Sequence, residues 1–199
     1  MAKKDGTIDL RIKRTQKAIK GSFFALLEEK DFEKISVRDL TDKAMISRNT
    51  FYLHYCDKYD LLNSICDELM KSLYARVSKQ LIRVQQTDFT IDTVATIIEH
   101  GILAVTEERE AYAILFKGSS EDVLTAKLHN MILSVFVMIR GDVKGIDGCT
   151  MEYIVSGMTG VVKYYVNHYV ENLYEESRNF TAIHLGSIIE IADRGRGKI

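Results

Sequence analysis

Apolar residues recur along most of this chain at intervals of three and four, the spacing that lines one face of an α-helix. Between about Leu10 and Lys30 that face is made by Ile12, Ile19, Phe23, Leu26 and Leu27, and Glu28-Glu29-Lys30-Asp31 interrupts it. Ser36 is placed to cap a short helix from Val37 to about Ala44, with Asp39 as the acidic partner of a capping box. Ser47 opens another short helix through about His54, and only Met45 and Ile46 separate the two. A long helix is predicted from about Lys58 to Gln86, with Leu62, Ile65, Leu69, Leu73, Val77 and Leu81 on one side. Further helices are predicted over about 90–106, 108–117, 120–140, 150–171 and 178–193. Their separators are Thr87-Asp88, Gly118-Ser119, the stretch from Gly141 to Gly148 and the polar segment near Glu175. Residues 1–9 are polar and expected to fray. No alternating strand pattern competes, so the fold class expected is all-α.

Composition supports this. The chain contains no proline, where average usage predicts about ten, and proline is what breaks helix interiors. Hydrophobic residues make up 46% of its 199 residues and charged residues 28%, enough to bury a core. The longest runs free of charged residues and histidine, Asn130 to Ile139 and Tyr153 to Val162, are half of what a membrane span needs. No apolar run follows Met1-Ala2-Lys3-Lys4-Asp5, so no signal peptide and no membrane association are expected. Cys56, Cys66 and Cys149 are few, odd in number and far apart, which reads as reduced thiols in a cytoplasmic protein. Asn179-Phe180-Thr181 matches a glycosylation acceptor, but nothing else suggests secretion.

Charge is unevenly spread. Residues 1–60 carry 13 Lys/Arg against 10 Asp/Glu, and the remainder carries 14 against 18. Within residues 1–20 the count is 7 against 2. A basic entrance on an acidic body fits a local contact with nucleic acid, though a solvated charged face has the same counts. His100, His129, His168 and His184 are scattered without metal-ligand spacing. No nucleophile motif, phosphate loop or carboxylate pair joins the Ser, Cys and His residues, so no catalytic residue, metal or cofactor is expected, and the protein is not expected to be an enzyme.

The segment from Ile35 to Lys58 carries the functional signal. Two short capped helices joined by a tight turn are the helix-turn-helix arrangement. The second helix enters the major groove with its N-terminal residues, and Ser47-Arg48-Asn49-Thr50 supplies hydrogen-bonding groups there. Leu40, Ile46 and Phe51 are placed to seat both helices on the first one. The segment resembles the TetR/AcrR family of bacterial regulators in Ser36-Val37-Arg38-Asp39-Leu40, Ala44, Ile46-Ser47, Thr50-Phe51-Tyr52, His54-Tyr55 and Lys58. The resemblance covers about residues 10–68. Met45 stands where the family usually has glycine, and Thr41 where it usually has alanine.

By that resemblance, Ser36, Val37, Arg38, Ser47, Arg48, Asn49, Thr50, Tyr52, His54 and Lys58 form the DNA-binding set. Tyr52, His54 and Lys58 would hold phosphates, while Arg38, Arg48, Asn49 and Thr50 would face base edges or nearby phosphates. Residue by residue, other roles remain open: a core tyrosine for Tyr52, an idle histidine for His54, a solvated charge for Lys58, a helix-start residue for Asn49. The body resembles, more loosely, the branch with a Firmicutes-type C-terminal domain, through Gly157-Met-Thr-Gly160-Val-Val-Lys-Tyr-Tyr165. Its helix is apolar on most sides, at Ile154, Val155, Met158, Val161, Val162, Tyr165, Val166 and Tyr169. Gly157, Gly160, Val161 and Tyr164 are expected at a dimer interface formed by the last two helices as a four-helix bundle, against the alternative of an internal core helix.

The expected organisation is therefore a DNA-binding head at residues 1–57, with a basic N-terminal arm, and a ligand-sensing and dimerisation body at 58–199. The resemblance implies a homodimeric repressor on a palindromic operator in double-stranded DNA, released by an unidentified small molecule. A co-activator or adaptor whose body binds another protein is the alternative. Tyr112, His129, Tyr153 and His168 are aromatic and imidazole candidates for lining a cavity in the body.

Overall fold

The computed structural model describes residues 5–84, 90–140 and 147–186, and the side chains of all of these except 5–9, 83–84 and 139–140. The expected arm at residues 1–4, the separator at 87–88, the stretch 141–146 and any helix beyond 186 lie outside the described residues. Among those described, nine α-helices and no strand are found: α1 (Asp5–Glu29), α2 (Val37–Ala44), α3 (Arg48–Tyr52), α4 (Lys58–Val84), α5 (Ile91–Glu107), α6 (Arg109–Leu115), α7 (Glu121–Arg140), α8 (Gly148–Asn167) and α9 (Leu173–His184). Single 3₁₀ turns at Phe32–Lys34 and Gly118–Ser120 complete them. No described helix is long and apolar enough to cross a membrane.

The chain gathers into two compact units. One comprises residues up to Glu68 with Ala113–Leu124, the other Leu69–Tyr112 with residues from Thr125 onward. In the first, Ile19, Phe23, Leu26, Phe32, Leu40, Phe51, Leu61 and Leu62 are buried. The apolar face of α1 therefore starts at Ile19. Ile12, expected on it, is 42% exposed.

Gly118-Ser119, expected only as a separator, fastens a second stretch of chain to this unit. The Asp31 carboxylate accepts from Ser119 Oγ at 2.5 Å and from the Glu33 amide at 3.0 Å. The hydrogen bond from Ser119 is the main reason its pKa lies below the ordinary carboxylate value. Gly118 sits at φ +61°, and a Cβ there would fall 2.4 Å from Asp31 Oδ2, so only glycine fits.

In the second unit α5 packs on α9 and α8. Val94, Ile98, Ile102, Ile154, Tyr165 and Leu185 form its buried cluster. Arg178 Nε on Asp92 (2.6 Å) and Arg109 Nε on the Val166 carbonyl (2.5 Å) hold these helices at their ends.

Several helix ends differ from expectation. α1 already begins at Asp5, within the residues expected to fray, and α9 ends at His184, short of the expected 193, with Leu185 as its C-cap. α8 stops at Asn167, because His168 turns extended at φ −126°, ψ 138°. The side chains of Asn167 and His168 contact the Lys163 and Tyr164 carbonyls of the last turn. Tyr169 is therefore outside the helix and 85% exposed. α9 begins earlier than predicted, since Asn172 is its N-cap and accepts from the Glu175 amide.

Candidate DNA-binding head and body cavity

α2 is fixed by the capping box predicted from its sequence. Ser36 N donates to Asp39 Oδ2 at 2.8 Å, and Asp39 N donates back to Ser36 Oγ at 3.2 Å. Lys30 lies 2.9 Å from the same carboxylate oxygen. The hydrogen bond from Lys30, with those from Ser36, holds the Asp39 carboxyl far below the usual carboxylate range. Thr41 is buried where the family pattern has alanine, and its hydroxyl is satisfied by donating to the Arg38 carbonyl at 3.0 Å.

The turn solves its missing glycine directly. Met45 adopts the left-handed conformation, φ 54° and ψ 44°. Met45 N donates to the Asp42 carbonyl (3.3 Å) and Ile46 N to the Thr41 carbonyl (3.0 Å), the paired bonds of a Schellman ending. The Met45 side chain is 91% exposed, so it recovers little by burial. A left-handed non-glycine residue costs about 1–2 kcal/mol, and glycine's extra unfolded-state freedom offsets roughly 0.5–1 kcal/mol of that. Met45→Gly is therefore expected to stabilise the protein by about 0.5–1 kcal/mol, seen as a higher urea midpoint at unchanged slope. A lower midpoint would contradict the strain assigned to this turn.

Ser47 caps α3: its Oγ accepts from the Thr50 amide at 3.0 Å and lies 2.8 Å from Thr50 Oγ1. α3 spans five residues and ends before His54. Phe51 is fully buried beneath it, which fixes the direction in which the rest of the turn points. Arg48 and Asn49 are exposed and make no side-chain hydrogen bond among the described residues. Tyr52 is 55% exposed, its ring edge-on to Phe51. His54 is half-buried beside Tyr55. On α2, Val37 is half-buried, while Arg38 is exposed and 3.5 Å from Asp42. Arg11, Arg14 and Lys17 are exposed along α1.

Lys58 is placed differently from these. Its Nζ donates to the Phe32 carbonyl at 3.0 Å and the Glu33 carbonyl at 2.9 Å, and its side chain is 14% exposed. It lies over the rings of Phe32 and Tyr59, 4.6 and 5.1 Å from their centroids. The ammonium is thus engaged by the 3₁₀ turn after α1. No sequence pattern marks that, because its acceptors are backbone atoms about twenty-five residues earlier.

In the second unit, Gly157, Gly160 and Tyr164 are exposed along α8, and a Cβ on either glycine meets nothing within 4 Å. Tyr164 stacks on His168 with centroids 4.1 Å apart. Tyr153 is exposed on the same helix. Val161 is half-buried and turns inward. It lines a cavity of about 100 Å³ formed by α4, α5, α7, α8 and Leu185, whose lining is apolar throughout. None of Tyr112, His129, Tyr153 and His168 reaches it. Tyr112 is buried elsewhere, His129 is 3.5 Å from Glu152, and the other two are exposed. No cluster of described residues could hold a metal ion.

The pattern of the family described as bacterial regulatory proteins, tetR family, matches residues 24–65. A curated relative from Bacillus subtilis (strain 168), the uncharacterized HTH-type transcriptional regulator YxbF, is 39% identical over 75 residues. That match takes in 35% of this chain and only 20% of the relative. Among solved structures, the dihydroxyacetone kinase operon activator DhaS is similar over 90% of this chain and 96% of its own, at 15% identity and a TM-score of 0.46. The TetR family repressor AlkX from Dietzia sp. strain DQ12-45-1b, described as implicated in biodegradation of n-alkanes, is similar over 90% and 95%, at 13% identity and a TM-score of 0.45.

Proposed function

We propose that this chain is a DNA-binding transcriptional regulator of the TetR type, as the family pattern over residues 24–65 supports, and that it is a homodimeric repressor of a palindromic operator, released by a small molecule bound in its body. The observation that carries this reading is the turn at Ser47-Arg48-Asn49-Thr50. It is rigidly capped and seated on buried Phe51, yet it leaves Arg48 and Asn49 exposed and unengaged. Side chains held this way are suited to base edges, where arginine pairs with guanine and asparagine with adenine. Tyr52, His54 and the exposed cations of α1 take phosphates, which position the head without choosing sequence. Ser36, Val37 and Arg38 flank the same contact from the start of α2. Lys58 serves by bracing the head.

Dimerisation is assigned to the exposed face of α8 bearing Gly157, Gly160 and Tyr164, with Val161 supporting it from the cavity side. The effector acts by favouring a head spacing that does not match the two half-sites. The apolar pocket among α4, α5, α7 and α8 favours an effector over the adaptor alternative, which would instead call for an exposed apolar patch. The division into a head at 1–57 and a sensing body at 58–199 and a cytoplasmic location belong to the same proposal.

The test is base preference. Arg48→Ala or Asn49→Ala is expected to relax selection at one or two operator positions, costing about 1–3 kcal/mol on the right site. Affinity for random DNA should change far less. Equal losses on specific and random duplexes would refute the base-reading role.

A further inference from the structure

We propose that the body cavity takes a small, uncharged, hydrocarbon-like molecule, an inference that rests on the reading of the body as an effector-binding unit. The cavity measures about 100 Å³, the order of size at which an apolar cavity of ~150 Å³ stays dry and accepts benzene. Its walls come from side chains such as Val77, Ile98, Ile132, Phe136 and Met158, with Gly101 as the one residue lacking a side chain. No side-chain donor or acceptor is among them. The backbone of the surrounding helices is occupied by its own hydrogen bonds. A carboxylate, phosphate or ammonium entering this space would therefore lose its hydration with nothing in return, which buried charges do not tolerate. A single hydroxyl would be disfavoured more weakly, because an apolar pocket discriminates against it only by about 100-fold. Met131 and Met158 add flexible thioether walls that adapt to ring or branched-chain shapes.

Gly101 provides the handle for a test. A Cβ there would meet only Val77 Cγ2, at an ordinary 3.6 Å, and Gly101 itself lines the cavity, so Gly101→Leu is the first cavity-filling variant. Ile132→Phe fills the same space from α7 and guards against misfolding of the first variant. The probes are toluene, phenol and benzoate, titrated by calorimetry and by thermal unfolding of the full chain without DNA. Toluene is expected to bind saturably and raise Tm. Phenol should bind about 10–100-fold more weakly, and benzoate should show no saturable binding. Both cavity-filling variants should lose the toluene response. Benzoate binding as tightly as toluene, or toluene binding unchanged in the folded variants, would overturn the proposal. Duplex binding is scored on the same preparation at low salt. Toluene binding without duplex binding upholds the cavity assignment and removes the regulator reading, and duplex binding without toluene binding does the reverse.

Discussion

Lys58→Met is expected to destabilise the protein by about 2–3 kcal/mol, the range for losing hydrogen bonds from a charged donor. Methionine keeps the apolar stem against Phe32 and Tyr59 but leaves the Phe32 and Glu33 carbonyls without the ammonium they share. The group is mostly buried, so solvent screens little of the effect. For a chain of this size the loss corresponds to a Tm lower by roughly 4–12 °C. The salt dependence of DNA binding should hardly change. A lysine seated on a phosphate behaves oppositely: its removal lowers the salt slope by about one unit. A smaller salt slope at unchanged stability would return Lys58 to the phosphates and contradict the bracing role.

Gly160→Leu should act on assembly without touching the residues proposed to contact DNA. Within the protomer the new side chain enters open space, since nothing lies within 4 Å of its Cβ. Replacing a mid-helix glycine also removes roughly 0.5–1 kcal/mol of helix penalty, so each protomer should stay folded. Across the proposed interface between protomers the same bulk should overpack a close helix approach, at about 1–3 kcal/mol per site. Sizing chromatography should show a shift toward monomer. Operator affinity should collapse, because a single head loses the free energy of the second half-site, while weak contact with random DNA persists. A variant that remains fully dimeric would move the interface off this face.

How far the sequence foretold all this depends on the range of the interaction. Ser36, Asp39 and Ser47 act on amides within three residues, so the starts of α2 and α3 were legible at once. The end of α8 was not. Apolar spacing continued to Tyr169, but the side chains of Asn167 and His168 meet the last-turn carbonyls and the helix stops there. The Asn172 cap of α9 was obscured by the polar run that follows it. Met45 signalled only a departure from the family pattern; that the backbone takes up the strained left-handed conformation there is a fact of the turn. Farther in space the pattern carries less. It marked Ile98, Ile132 and Met158 as apolar without revealing that they leave a void between them. It also offered polar aromatic residues for the cavity, and none of these reaches it. The Lys58 acceptors and the bond from Ser119 to Asp31 join residues far apart in the chain, and such contacts follow only from the folded arrangement.

The central claim is that two copies of this head read one symmetric site. The measurement that tests it most directly is selection from a random duplex pool by the full-length protein, repeated with the Arg48→Ala, Asn49→Ala double variant. Wild type is expected to enrich a palindrome whose half-sites are about one helical turn, or a multiple of it, apart. The double variant should retain binding to the pool while losing preference at the same positions in both half-sites. Enrichment of no sequence, or of a single unpaired site unaffected by the double substitution, would contradict the account.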